Sequence, residues 1–286
     1  MTQALLQTLT SGVSLSGYYA LLAIGLGFIF ATLRIFHIAH AAVFITGGYA
    51  FFALHRLAHV DFWLSALAAV AIAAIVGLLI DKLVYLPVLR NGGGMFSVFV
   101  ASLGVALLFE SVALLLTHGH LSVARTGPFA PVSLGGVSFR WYDVEVAGTV
   151  AVLYAVLFLG VMRTRLGLEI RALADNVGLA GVVGIETRRT RNVIFLVASA
   201  LAGLAGVFTA YDSGVAPATG MDILFIIMVA VIFGGTRSLF AGSLGGSIVM
   251  GLVTAVASFF APQWVTTIVF ALLIVLLVVR PNGLFG

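Results

Sequence analysis

The stretch Tyr18-Tyr19-Ala20-Leu21-Leu22-Ala23-Ile24-Gly25-Leu26-Gly27-Phe28-Ile29-Phe30-Ala31-Thr32-Leu33 carries no charge before Arg34. Crossing the hydrocarbon core of a bilayer takes about 20 predominantly apolar residues in a helix. With the uncharged residues before it, this stretch forms a candidate span at 13–33. The first twelve residues hold no Lys or Arg, and no small-residue cleavage pattern closes the run, so it reads as a retained helix and not a signal peptide.

Further runs low in charge lie at 41–58, 64–80, 96–117, 144–162, 193–211, 222–235, 239–260 and 263–279. They are apolar all round, whereas strands of a membrane barrel alternate over about ten residues. The expected fold is all-α: a polytopic transmembrane helical bundle of about eight to ten spans, forming a single membrane domain over 1–286. The run 222–235 is short and ends in Gly234 and Gly235, which suits a broken or partly re-entrant helix and leaves the side of the N-terminus open.

Composition excludes the main alternatives. The chain is 62% hydrophobic and 8% charged, with mean hydropathy +1.22, against about 25% charged in a soluble domain. The absence of cysteine excludes disulfides, thiolate metal sites and a Cys nucleophile. Neither H-E-x-x-H, nor G-x-S-x-G, nor a phosphate-binding Gly-rich loop with Lys is present, so no catalytic residue is assigned. A net charge of +4 does not imply a nucleic-acid partner here, because the position of the charge matters more than its sum.

With the Arg-rich stretch 163–192 placed in the cytoplasm, nine alternating spans put eleven basic residues inside. Arg56, Arg125 and Arg140 fall outside. That bias assigns the C-terminus to the cytoplasm. The outer loop at 118–143 contains Pro128, Pro131, Gly135 and Gly136 and reads either as ordered turns against a soluble partner or as a plain connection. Inside the Arg-rich stretch, Ile170, Leu173, Ala174, Val177 and Ala180 recur at helical spacing, followed by Gly184. A solvated tether needs no such stripe, so the segment is expected to dock something or to lie on the membrane surface.

Polar residues at membrane depth are few. Glu110 sits within a span that is otherwise uncharged; it serves either as a helix-to-helix partner or as part of a solute pathway. His37 and His40 share a helical face at three-residue spacing, with too few ligands nearby for a metal site. Tyr19, His37, His40 and Glu110 are the expected pathway residues. Asp222 suits a helix N-terminus. Small residues cluster late in the chain, including Gly203, Gly206, Gly242 and Gly246, at spacings that permit close helix packing or a sliding interface.

Taken in order, several blocks resemble the branched-chain amino acid permeases of ABC importers, in particular the shorter of the two permease types. They include Gly12 to Leu26, with its Tyr-Ala-Leu and Gly-Leu, and Phe36-His37-Ile38-Ala39-His40-Ala41. Next come Leu134-Gly135-Gly136-Val137, Thr164-Arg165-Leu166-Gly167, Arg171-Ala172-Leu173-Ala174-Asp175-Asn176 and Gly184-Ile185. Ala202 to Val207, Gly234-Gly235, Gly242 with Gly245-Gly246, and the ending Arg280-Pro281-Asn282-Gly283-Leu284-Phe285-Gly286 complete the series. His37 and Ala41 depart from the family pattern, as does the uncharged span near Ile227, where many members carry Lys.

The resemblance implies a permease subunit in the bacterial inner membrane. Its implied partners are a second, longer permease, two cytoplasmic ATPases that bind ATP and Mg, and an extracytoplasmic solute-binding protein. It implies ATPase coupling through Arg171, Ala172, Asp175, Asn176, Gly184 and Ile185. The implied solutes are branched-chain amino acids or related amides, urea or aromatic acids, carried by alternating access. A stand-alone secondary transporter or channel is the other reading.

Overall fold

Uncharged runs of this length become helices because a helix satisfies its own backbone hydrogen bonds, leaving only side chains for lipid or neighbours. A computed structural model describes residues 2–125, 129, 131–134, 137–235, 240–280 and 283–284. Pro128, Gly135, Gly136, Arg237, Pro281, Asn282, Phe285 and Gly286, read from the sequence above, lie outside the described residues.

The described α-helices are α1 (Thr2–Leu33), α2 (His40–Phe51), α3 (Phe62–Ile80), α4 (Leu86–Arg90), α5 (Met95–Thr117), α6 (Trp141–Arg163), α7 (Arg165–Asp175), α8 (Val177–Val182), α9 (Thr187–Asp212), α10 (Thr219–Gly234), α11 (Ala241–Phe260) and α12 (Val265–Val279). Two π-helical turns, Phe52–Leu57 and Asp81–Tyr85, continue α2 and α3. A two-stranded antiparallel ribbon, β1 (Pro131–Leu134) with β2 (Val137–Arg140), lies within the 118–143 connection.

Helices fall on all nine expected stretches, and seven are long and apolar enough to cross a membrane by length and composition. The other two differ for physical reasons. The helix α10 has 16 residues, about 24 Å at 1.5 Å per residue, short of a core about 30 Å thick. Asp222 sits in its first turn. The helix α2 and its π turn include His55 and Arg56, which dilute the apolar run.

The chain forms two compact units. In the unit comprising Phe28–Arg125 and Leu159–Leu224, α2, α3 and α9 pack closely because small residues face one another. A Cβ on Gly47 would lie 2.6 Å from the Cα of Gly203, and one on Gly206 would collide with the Phe44 carbonyl. Gly77 faces the Ser199 hydroxyl. At one end of this core, Phe51, Ala66, Val207 and Val215 are buried together. Ser122 and Val215 exchange backbone hydrogen bonds at 2.9 and 3.0 Å, and Gly214, at φ 89°, makes the reversal after α9.

In the unit comprising Met1–Gly27, Thr126–Phe158 and Phe225–Gly286, α1 packs against α11. The Ser16 hydroxyl lies 2.7 Å from the Gly12 carbonyl and 3.2 Å from that of Ile248. Gly251 accepts Ser16 at a distance no Cβ allows, and Gly246 meets the Ala230 carbonyl in the same way. The Gln7 amide pairs with the backbone of Ser138, donating to its carbonyl at 2.7 Å and accepting from its N–H at 3.0 Å.

A paired substitution tests the packing. Gly206→Ala is expected to destabilise the detergent-solubilised chain by about 1–3 kcal/mol, because the new methyl meets backbone. Gly104→Ala, where a Cβ meets nothing within 4 Å, is expected to be neutral or to gain up to about 1 kcal/mol. Thermal unfolding of both variants makes the comparison.

Candidate functional site

The two π turns position the unusual chemistry of the unit that holds them. A π turn opens the i−4 ladder and re-aims the side chains it contains. In the second turn, Asp81 is fully buried although it directly follows an uncharged helix. Its carboxylate accepts both Nε and Nη2 of Arg191, with Nε 3.0 Å from each oxygen. The Arg191 guanidinium also lies 5.6 Å over the Phe195 ring.

One helical turn beyond Asp81, Tyr85 is fully buried, its hydroxyl 2.7 Å from His37 Nδ1 and 2.6 Å from Ser102 Oγ. Ser102 also accepts the backbone N–H of Ala39 at 2.8 Å. The His37 ring lies 5.4 Å from that of His40 and 5.5 Å from that of Phe195. Burial pushes the His37 imidazole well below its ordinary pKa, and His40 adds to the effect. A neutral His37 in the connection between α1 and α2 is therefore a hydrogen-bonding group and not a charge.

The same network reaches the Arg-rich segment. The Thr190 hydroxyl, adjacent to Arg191, donates to Glu169 of α7 at 3.0 Å. The order is thus α7, Glu169, Thr190, Arg191, Asp81 and the π turn. Sequence reading missed Asp81, Tyr85, Ser102 and Arg191 as a set. The only signal was an acid at the very end of a long apolar run, and nothing in sequence pairs it with an Arg so far along the chain.

The Arg-rich segment itself is ordered. Thr164 caps α7 by accepting from Gly167 N–H at 3.0 Å, and Asn176 caps α8 by accepting from Leu179 N–H at 3.0 Å. Arg171 is half-buried and donates to the Met162 carbonyl at 3.3 Å; Ala172 and Ile185 are half-buried, and Asp175 is exposed. Gly184, at φ 87°, turns the chain from α8 toward α9.

The apolar stripe differs from its expected role. Ile170, Leu173 and Ala180 are buried, because α7 and α8 pack against each other and against α9. Val177 of the same stripe faces outward instead, together with Leu168, Leu179, Val182 and Val183, of which Val182 is 83% exposed. The buried stripe builds the segment, and the outer set is what it presents.

The first π turn lines a cavity of about 610 Å³ with α2, α5 and the residues after α5. Its walls are mostly apolar, from Ile45, Ala53, Val112 and Leu116, with polar points at Tyr49 and His120. Of the expected pathway residues, His37 and His40 come together in the network. Glu110 is half-buried on α5, with no hydrogen-bond or ionic partner among the described residues. Tyr19 is buried in the other unit. Among the described residues no three His, Cys, Asp or Glu side chains are grouped to hold a metal.

Comparison with known proteins adds family evidence. Residues 8–278 match the family model described as the branched-chain amino acid transport system permease component. The high-affinity branched-chain amino acid transport system permease protein LivH of Escherichia coli K12 is 28% identical, covering 98% of this chain and 95% of that protein. BraD, the corresponding permease protein of Pseudomonas aeruginosa, gives the same identity and coverage. The probable LivH of Methanocaldococcus jannaschii is 26% identical over 97% of this chain and 91% of its own length. Among solved structures, PsaBC from Streptococcus pneumoniae in complex with Fab matches with TM-score 0.53 at 12% identity. It covers 96% of this chain and 91% of that one, a likeness of fold alone.

Removing one member of the buried ion pair is expected to be costly. Asp81→Ala strands the Arg191 charge and should lower stability by about 3–5 kcal/mol, whereas Asp81→Ala combined with Arg191→Met should recover much of that loss. Detergent unfolding of single and double variants measures the difference.

Proposed function

This chain belongs to the branched-chain amino acid transport system permease family, and from that premise we propose that it is the membrane-spanning subunit of an ATP-binding-cassette importer. Its solutes are branched-chain amino acids or related small organic solutes, moved inward by alternating access. The observation that carries the coupling part is the capped α7–α8 segment, whose outer face displays Leu179, Val182 and Val183 among Arg residues. An exposed apolar patch with charged flanks is the chemistry of a docking surface.

On this reading two ATPase subunits bind ATP and Mg and dock on α7–α8 from the cytoplasm. A second, related permease pairs with this chain, and a solute-binding protein delivers cargo to the outer face. The C-terminus is cytoplasmic in the inner membrane, as the positive-inside bias supports. Arg171, Asn176 and Gly184 then act in part by shaping the docking segment, through the contact, cap and turn geometry above, while the exposed Asp175 is on its surface.

The path inward from that segment is the Glu169, Thr190, Arg191, Asp81 series. A push on α7 is passed to the π turn at Asp81–Tyr85, a local departure from the α-helical ladder of the kind frequent at functional sites. His37 and Ser102 share Tyr85 with that turn, so its shift repositions the start of α2 and the wall of α5. No bond in the solute is made or broken by this chain.

Val182→Asp with Val183→Asp is expected to leave membrane insertion intact and to cut solute-stimulated ATP hydrolysis and uptake by about tenfold or more, the effect of roughly 1.4 kcal/mol at one contact. The measurement is made in proteoliposomes holding this chain, its companion permease, the ATPases and the binding protein. Wild-type uptake without ATP or partners would instead favour a stand-alone secondary transporter, the reading suggested by Glu110, which has no partner among the described residues.

A further inference from the structure

At the start of α2, four polar groups stand in one line. The backbone N–H of Ala39 donates to Ser102 Oγ at 2.8 Å, Ser102 Oγ lies 2.6 Å from the Tyr85 hydroxyl, and that hydroxyl lies 2.7 Å from His37 Nδ1. The groups belong to the α1–α2 connection, to α5 and to the π turn after α3. His37, Tyr85 and Ser102 are each at most 1% exposed. A polar group left unmet at such burial is costly.

Counting protons fixes the direction of the line. A neutral imidazole has one N–H, and each hydroxyl has one O–H. When Tyr85 donates to His37 Nδ1, Ser102 donates to Tyr85 and the His37 proton sits on Nε2. One group, the Nε2–H, then has no hydrogen-bond partner among the described residues. In the reverse order Nδ1–H donates to Tyr85 and Tyr85 donates to Ser102. Two groups then go unmet among the described residues: Nε2 as a bare acceptor and the Ser102 proton, since Ser102 meets only Ala39 and Tyr85. The first order leaves fewer, and in it all three donors point the same way, which strengthens each bond.

We propose that His37 is the terminal acceptor of a one-way hydrogen-bond chain from Ala39 through Ser102 and Tyr85, with its single proton on Nε2, and that a second proton on the ring breaks this chain. The second proton, taken from water, goes to Nδ1, the ring's one lone pair. Nδ1–H then faces the Tyr85 O–H, donor against donor. Tyr85 must turn its proton to Ser102, and Ser102 must turn its own toward no acceptor among the described residues. The α1–α2 connection is thereby released from α3 and α5.

The neighbours do not favour the added charge. His40 of α2 lies 5.4 Å away ring to ring, and Phe195 of α9 lies 5.5 Å away. Over Phe195 sits the Arg191 guanidinium, already paired with Asp81. Burial first, and then His40, hold the His37 imidazole well below its ordinary pKa. The unfolded chain takes up this proton near the ordinary value of about 6.5, the folded chain only at much lower pH. The stability contributed by the neutral ring is therefore full above the ordinary value and is lost as pH falls from there toward the folded value. In that window the unfolding equilibrium constant rises by up to about tenfold per pH unit. The inference does not depend on the import reading.

The test uses the full chain in nanodiscs with 15N-labelled histidine. Tyr85→Phe removes the donor and keeps the ring, so the one Nδ1 resonance it moves identifies His37. At pH 7.5 the wild type is expected to show a protonated Nε2 and a bare Nδ1. A ring protonated on Nδ1, or no Nδ1 resonance moved by Tyr85→Phe, would overturn the proposal. A second arm follows reversible unfolding in mixed micelles from pH 7.5 to 5, comparing wild type with His37→Asn. Asparagine keeps an acceptor oxygen at the place of Nδ1 and takes up no proton. The unfolding constant of the wild type should climb more steeply below about 6.5, by up to about tenfold per pH unit relative to the variant; parallel profiles would also overturn the proposal. Failure of reconstituted uptake would remove the import reading and leave both results standing.

Discussion

Hydrocarbon supplies no hydrogen bonds, so each backbone N–H and C=O at membrane depth must be met within the protein, and that constraint organises the chain. It makes helices the only economical element for the long uncharged runs. Association between helices must then come from packing, since lipid is as apolar as leucine. Gly203, Gly206 and Gly77 answer that need in one unit, and Gly246 and Gly251 in the other, by letting backbone or hydroxyl occupy the space of a missing side chain. Where the ladder is opened, at Phe52–Leu57 and Asp81–Tyr85, the structure places a cavity and a polar network.

The Asp81–Arg191 pair sets a second scale. Two charges taken out of water recover their desolvation only with full hydrogen bonding, and here Asp81 receives two donor groups of one guanidinium. A pair of that kind adds little net stability over an apolar substitute. Its value lies in specificity: it fixes the foot of α9 against the end of α3, immediately after the segment that presents Val182 and Val183 outward. Tyr85, Ser102 and His37 extend the same rigid connection. The link from α7 to the end of α3 is thus made of directional contacts and not of a slippery apolar seam.

Much of the architecture was legible because its cause is local. The runs 13–33, 64–80 and 96–117 needed only hydropathy, and the α7–α8 segment with its end near Gly184 needed only period and a breaker. What stayed hidden depends on distant contacts. Of the stripe Ile170, Leu173, Ala174, Val177 and Ala180, the structure buries Ile170, Leu173 and Ala180 and leaves Val177 outside, since amphipathicity reports two faces without saying which neighbour each meets. Asp81 and Arg191 were legible only as charges at span ends. The π turns left no signal at all, because one extra residue per turn changes no composition. The Arg140–Asp143 pair is close in sequence, but the Thr10, Ser11 and Ser14 hydroxyls that line a cleft with it belong to α1.

Glu110 links these themes. It is half-buried on α5, and Leu107, Leu108, Leu114 and Leu115 nearby on the same helix are exposed. An unpartnered carboxylate at the middle of a span costs about 2.5–3.5 kcal/mol on insertion scales. No partner within the described residues offsets that cost. A second protein surface would, by supplying donors and excluding hydrocarbon at the same position. The leucines beside Glu110 would gain little from moving out of lipid, whereas a partnered glutamate would gain a great deal, so any protein surface covering α5 would be favoured there by polarity more than by apolar area.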